Sequence, residues 1–212
     1  MAILKVAQMG HPILRTVAPP LDPERIHTPE IRQLITDMLE TMEEYEGAGL
    51  AAPQVHVSTR LVVLTLDPSE PPEVWINPEL TPLTDQTEAV YEGCLSVAGL
   101  RGRVARPAAV HARYLDAEGT PRAFFLQGFP AIVAQHECDH LDGVLYVDKA
   151  DPRTLAFLHE FQRFGPLHQQ LEIAEPDEDE DGPLDDFAVE LDPTLKPHDA
   201  LADAMRQYNL ED

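Results

Sequence analysis

The chain has 212 residues, 43% of them hydrophobic, which suits one folded domain with a sizeable core and an appendage. Its formal charge of −23, from 38 acidic against 15 basic residues, excludes broad nucleic-acid binding, which needs clustered Lys and Arg against phosphates. No apolar run reaches the roughly 20 residues that span a bilayer, and the start at Met1–Lys5 does not read as a signal peptide, so no membrane partner and a cytoplasmic location are expected.

The first clear helical pattern is Ile31, Leu34, Ile35, Met38, Leu39 and Met42, one apolar face at i, i+3, i+4, i+7 spacing. Thr28, Pro29 and Glu30 supply an N-cap, a tolerated proline and an acid that complements the helix dipole. Gly47 and Gly49 close that helix and open a loop. Strand signals follow at Arg60–Leu66, Glu73–Asn77, Glu88–Tyr91, Val104–Leu115 and Arg122–Leu126, with a hairpin turn at Asp116–Gly119. A second helix is expected from about Pro130 to Leu141, stopped by Asp142-Gly143, and a third from Asp151-Pro152 carrying Leu155, Leu158, Phe161 and Phe164. Short strands around a few helices, without βαβ alternation, indicate an α+β fold.

The charge is uneven. From Glu175 to Asp212 there are fourteen acidic residues against two basic ones, so about half the excess lies in the last fifth of the chain. Pro176–Pro183 cannot bury apolar surface and is expected to be disordered, while Asp199–Leu210 has the spacing of a short amphipathic helix. The expected division is a catalytic domain over residues 1–170 and an acidic tail over 171–212.

His136-Glu137-Cys138-Asp139-His140 matches His-Glu-x-x-His. On a helix the two histidines fall about 40° apart and one turn along the axis, able to grip one metal ion, with Glu137 about 60° from His140. Cys138 falls roughly 200° from His136 and reads as a small buried apolar residue. Two readings remain open for the five residues alone, a metal site and an ordinary helix. Among metal sites a zinc peptidase and a structural site both fit, although a catalytic ion needs a third protein ligand and an open position.

Glu92-Gly-Cys-Leu-Ser96 lies upstream of Gln135–His140, and Gly47-Ala-Gly-Leu-Ala-Ala-Pro-Gln54 lies upstream of both. The three segments, in this order, resemble the three signature motifs of the peptide deformylases, metal-dependent hydrolases of a linear amide bond. The resemblance extends from a strand at Ile3–Leu14 through Gly143–Val147 and omits the acidic tail. It implies small antiparallel or mixed sheets packed around a central metal-binding helix, with a further helix at the C-terminal end. It also implies an activity in protein biosynthesis, removal of the formyl group from the N-formylmethionine of nascent polypeptides with release of formate.

Carried onto this chain, the resemblance makes Cys94, His136 and His140 the metal ligands, with water completing the set. Glu137 becomes the general base and acid, and Gln54 and the Leu95 N–H become the oxyanion donors. Gly49 lies along the substrate's main chain, and Ala48, Val90, Ile132 and Val133 surround its methionine side chain. Glu92 and Arg101 form a pair bracing the Cys94 loop, with a surface ion pair as the alternative. The implied metal is Fe²⁺, replaceable by Zn²⁺, Ni²⁺ or Co²⁺. Ala98 stands where the family commonly has proline, and Pro130 is unusual near the start of the metal helix; neither removes a chemical group. Relatives dock on the ribosome through a basic C-terminal helix; Arg153 and Arg163 persist here, but the acidic tail weighs against that contact.

Overall fold

The computed structural model describes residues 2–172 and 186–197, with Asp199 and Ala202. Among these are three α-helices: α1 (Pro29–Glu44), α2 (Phe129–Leu141) and α3 (Leu158–Glu172). Nine strands accompany them: β1 (Gly49–Ala51), β2 (Leu61–Leu64), β3 (Glu73–Pro82), β4 (Thr87–Cys94), β5 (Val97–Pro107), β6 (Ala109–Leu115), β7 (Pro121–Gln127), β8 (Ala156–Phe157) and β9 (Phe187–Leu191). A six-stranded sheet runs β1-β2-β3-β6-β7-β9 and a three-stranded sheet runs β4-β5-β8, every pairing antiparallel. The fold is α+β.

Strand alternation explains how the large sheet takes a helix on each face. Leu61 and Val63 of β2 point to α1, where they meet Ile31, Ile35, Met38 and Met42 in one apolar cluster. Val62 and Leu64 point the other way, into a cluster with Trp75, Ala112 and Leu126 and with Ala131, Ala134 and Leu141 of α2. Leu34 and Leu39, also expected on the buried face of α1, are partly buried at its margin. Thr28 stands at the α1 N-cap, but its hydroxyl makes no capping bond.

Four expectations need correction. Ile3–Leu14 is not a strand: residues 2–8 lie outside both sheets without regular structure, Met9 and Gly10 form a turn in which Gly10 has φ +107°, and Pro12–Arg15 form a 3₁₀ turn. Val104–Leu115 is not one strand, because the chain leaves the small sheet at Pro107 and enters the large one at Ala109. Proline has no N–H to extend the ladder, so the break falls there. The third helix does not start at Asp151-Pro152. Asp151 instead caps a 3₁₀ turn over Pro152–Thr154, Ala156 and Phe157 pair with the edge of β5, and α3 begins at Leu158.

The last correction concerns the acidic tail. Phe187–Leu191 is a strand at the edge of the six-stranded sheet, paired with β7 from Ala123↔Leu191 to Gln127↔Phe187. Val189 and Leu191 are buried against Ala109, Ala123 and Phe125. The short Phe-Ala-Val-Glu-Leu alternation was hidden in a charge-dominated stretch. The expected disorder at Pro176–Pro183 and, apart from Asp199 and Ala202, the expected helix at Asp199–Leu210 lie outside the described residues.

Replacing Val189 with Asp places a charge against that apolar cluster. The loss should be on the order of 3 kcal/mol, lowering Tm by roughly 6–12 °C in a thermal melt. An unchanged Tm would show that β9 does not belong to the sheet.

Candidate active site

Three separate segments meet beside α2. Gln54 lies in the 3₁₀ turn Ala52–Val55 that follows β1 and is 1% exposed. Its carbonyl oxygen accepts from the Ala51 N–H at 2.7 Å, which turns its amide nitrogen towards Cys94 Sγ at 3.5 Å and Ser96 Oγ at 3.3 Å. Cys94 ends β4, and Leu95-Ser96 form the two-residue turn into β5, with Cys94 opposite Val97. Leu95 packs its side chain against the α1 cluster, which fixes the backbone of this turn.

On α2 the helical spacing brings the rings of His136 and His140 to 5.0 Å at 82°. Sγ of Cys94 lies 3.2 Å from His140 Nε2, and the donor atoms of Cys94, His136 and His140 all lie within 4.8 Å of one another. Cys138 points away, into a cleft of about 890 Å³ lined by Arg60 and Asp142, and burial pushes its thiol pKa up. One thiolate and two imidazoles converging on one point fit a divalent cation with a position left open.

The polar groups around that point are arranged for it. His136 Nδ1 is 2.7 Å from Glu92 Oε2, leaving Nε2 to face the cluster. Burial opposes a proton on His136, but Cys94 and Glu92 outweigh burial and raise its pKa to about 10. His140 has no such carboxylate, and burial drives its pKa well below the ordinary value. Protons and a cation compete for these donors, so metal affinity rises with pH.

Glu137 is 4% exposed, its Oε2 has no hydrogen-bond partner, and burial raises its pKa to about 7. It sits against Gly49: a Cβ there would stand 2.5 Å from Glu137 Cγ and 2.6 Å from Oε1. Glycine at 49 is therefore a space requirement. Val90 lies half-buried on β4 on the same face as Glu92, Ile132 and Val133 are each 6% exposed on α2, and Ala48 is exposed beside Gly49.

The expected Glu92–Arg101 pair is not formed. Glu92 binds Arg106, with Nε–Oε1 at 2.5 Å and Nη2–Oε2 at 2.9 Å. Arg106 also reaches Asp139 Oδ2 at 2.9 Å, and Asp139 in turn holds Lys149 at 2.7 Å. Strand parity decides between the arginines. Glu92 stands opposite Gly102 and Glu88 opposite Arg106, so Glu92 and Arg106 share a face, whereas Arg101 is on the other. Arg101 lies over Gly93 and donates to the Leu100 carbonyl. Counting alternate residues from the Cys94–Val97 turn would have chosen Arg101; the register shift between Glu92 and Cys94 reverses the parity and brings Arg106 to the face of Glu92. Burial works against the Glu92 charge, but Arg106 and His136 overcome it and hold its pKa below the usual carboxylate value.

Residues 3–156 match the sequence profile of the family described as polypeptide deformylase. The chain belongs to that family. A peptide deformylase of Stutzerimonas stutzeri is 50% identical over 150 residues, covering 70% of this chain and 87% of the relative. The fold is also that of solved deformylases. A Met-Ala-Ser-bound class I type b enzyme from Acinetobacter baumannii superposes with a TM-score of 0.66 at 36% identity, covering 70% of this chain and 98% of that one. The Thermotoga maritima deformylase gives 0.67 at 35% identity, covering 72% and 100%. This deformylase is a metal-dependent hydrolase that removes the N-formyl group from nascent polypeptides.

Replacing Arg106 with Met would leave the buried Glu92 with His136 as its remaining partner and Asp139 with Lys149 alone, a loss on the order of 3–5 kcal/mol. Arg101→Met should cost far less. Urea unfolding and metal content of the two variants make the comparison, and equal losses would contradict the assignment of Arg106.

Proposed function

We propose that deformylation here is carried by Glu137, Gln54 and Leu95 around a cation held by Cys94, His136 and His140. The observation that supports it most is Glu137 itself, a buried carboxylate with one unpartnered oxygen beside the convergent thiol and imidazoles. A divalent cation bound there supplies Lewis acidity, polarising a carbonyl and acidifying water. Glu137 accepts the proton of the attacking water and returns it to the departing amine nitrogen. The Gln54 amide and the Leu95 N–H donate to the carbonyl oxygen as it gains negative charge.

The substrate's main chain runs extended past Ala48 and Gly49. Its methionine side chain lies among Ala48, Val90, Ile132 and Val133, apolar groups from the loop before β1, from β4 and from α2. A formyl carbon carries only hydrogen, which suits the small space between Cys94 and Glu137. Glu92 acts one step further out: it orients His136 and is itself fixed by Arg106. Fe²⁺ is the working ion we propose, with Zn²⁺, Ni²⁺ or Co²⁺ as substitutes. A thiolate with two imidazoles suits all four, so availability and oxidation decide among them. The enzyme acts in the cytoplasm on N-formylmethionyl chains, and its acidic C-terminal segment disfavours docking on ribosomal RNA.

Formate release from formyl-Met-Ala-Ser, set against hydrolysis of unformylated Met-Ala-Ser, tests the reading directly. A zinc peptidase would show the opposite preference. Glu137→Gln should keep its metal and lose about two to four orders of magnitude in turnover, the usual worth of a general base. In the native enzyme kcat/KM should rise with pH as Glu137 ionises. A cation in the cluster favours the charged form, so the midpoint should fall below the value of about 7 that burial and the neighbouring charges set without it. Near-native turnover in a metal-replete Glu137→Gln enzyme would remove the residue from its role.

Cys94→Asp exchanges a thiolate for an oxygen donor and should change which metal is retained, as measured by plasma emission. Unchanged metal content together with unchanged activity would take Cys94 out of the ligand set.

A further inference from the structure

Both groups assigned to the carbonyl oxygen stand on short turns, the Gln54 amide on Ala52–Val55 and the Leu95 N–H between β4 and β5. A third segment bridges these turns. The Ala7 N–H donates to the Gln54 carbonyl at 2.7 Å, and the Met9 N–H donates to the Ser96 carbonyl at 2.7 Å. Between them the Gln8 side-chain amide donates to the Leu95 carbonyl at 3.0 Å and to the Val6 carbonyl at 3.4 Å. The segment is itself tied down at both ends. The Leu4 N–H donates to Thr41 Oγ1 of α1 at 2.9 Å, and Ala7 and Leu14 are buried with Val97 in the apolar cluster that Cys94 joins.

Gln8 is exposed, so burial does not explain its conformation. Its two amide hydrogens suit the two carbonyls it faces. The contact with Leu95 matters through the geometry of the turn. The Leu95 N–H belongs to one peptide plane and the Leu95 carbonyl to the next. Because Cys94 pairs with Val97 across only two residues, rotation of one plane must be offset in the other. The Leu95 side chain is already packed against the α1 cluster. Holding the carbonyl as well leaves the N–H one direction.

We propose that Gln8 is a positioning residue for deformylation. By holding the Leu95 carbonyl to the N-terminal segment, its amide sets the direction of the Leu95 N–H and its separation from the Gln54 amide. The inference rests on the oxyanion roles given to Gln54 and Leu95 above. Such donors act most strongly on the charged oxygen of the transition state, so a loosened turn lowers kcat and leaves KM. Water can satisfy the Leu95 carbonyl once Gln8 is cut back, but water does not tie the turn to its neighbour. The donor is then misaligned rather than removed, and the loss is about three- to tenfold, a fraction of the roughly 10²–10³-fold worth of a whole donor.

The test uses the full-length, metal-loaded enzyme with formyl-Met-Ala-Ser. Gln8→Ala should lower kcat by about three- to tenfold, with KM and metal content held within about twofold. Gln8→Arg returns N–H donors on a side chain that reaches the same carbonyl, and should restore most of kcat. Gln8→Glu has the native length but offers a carbonyl only acceptors, and should be at least as slow as Gln8→Ala. A segment that served stability alone would order the three variants by Tm instead of by donor capacity. Native kcat in Gln8→Ala would overturn the proposal. So would a KM that rises in step with the loss, or equal losses in the Arg and Glu variants. Gln54→Ala separates the two readings: if it is slow while Gln8→Ala is native, the positioning role alone fails. If Gln54→Ala itself keeps native kcat, the oxyanion reading fails with it.

Discussion

The buried guanidinium of Arg106 is the contact on which the site's geometry depends. It is 2% exposed and lies on β5, yet it binds Glu92 on β4 and Asp139 on α2. One side chain thus joins the small sheet to the helix. The proposed metal ligands are divided between those same two bodies, Cys94 on β4 and the histidines on α2. Their 4.8 Å convergence requires sheet and helix to hold one fixed relation. Burying an ion pair costs desolvation that its Coulombic attraction only partly recovers, so such a pair is a poor source of net stability. Its value here is positional, because a purely apolar contact would let the helix slide by a fraction of a turn.

The chemistry that the site needs follows from that fixed relation. Glu92 can orient His136 only while Arg106 neutralises it; otherwise a second buried carboxylate would stand near Glu137 and raise its pKa further. Glu137 already lies at the upper limit useful for a base near neutral pH, at about 7 through burial. The balance is narrow. Arg106 works to lower the pKa of Glu92 and of Glu137 from its buried place between β4 and α2. On the other wall Gly49 provides room for the carboxylate, and Gln54 is turned towards Cys94 by its own bond to Ala51.

Much of this was readable from the residues because it is local. The α1 face, the His136–His140 spacing, the outward direction of Cys138 and the Asp116–Gly119 turn depend on neighbours within about one turn or one hairpin. What escaped depends on pairing across the chain. Arg101 and Arg106 look alike in sequence, and only the register of β4 on β5 tells which shares a face with Glu92. Pro107 divides a run that looks like one strand because the chain changes sheets there. The alternation of Phe187–Leu191 is too short to outweigh the acids around it, and its partner, β7, lies some sixty residues earlier. Long-range contacts of this kind leave little trace in local composition.

The helix that carries the motif also shows why its polar residues are informative. α2 is buried on nearly every side, with ten of its thirteen residues in the interior. A polar group in such a helix must find a partner or remain at a free-energy cost. Gln135 donates to the Pro107 and Ala131 carbonyls, His136 meets Glu92, and Asp139 meets Arg106 and Lys149. Two buried polar atoms on the helix lack partners, Glu137 Oε2 and His140 Nδ1. His140 turns its other ring nitrogen, Nε2, to Cys94, whereas Glu137 belongs to the face proposed for the reaction. The interior groups that hold the helix in place are thus satisfied, and the carboxylate proposed as proton acceptor keeps one oxygen short of bonds, an indication that does not depend on the motif.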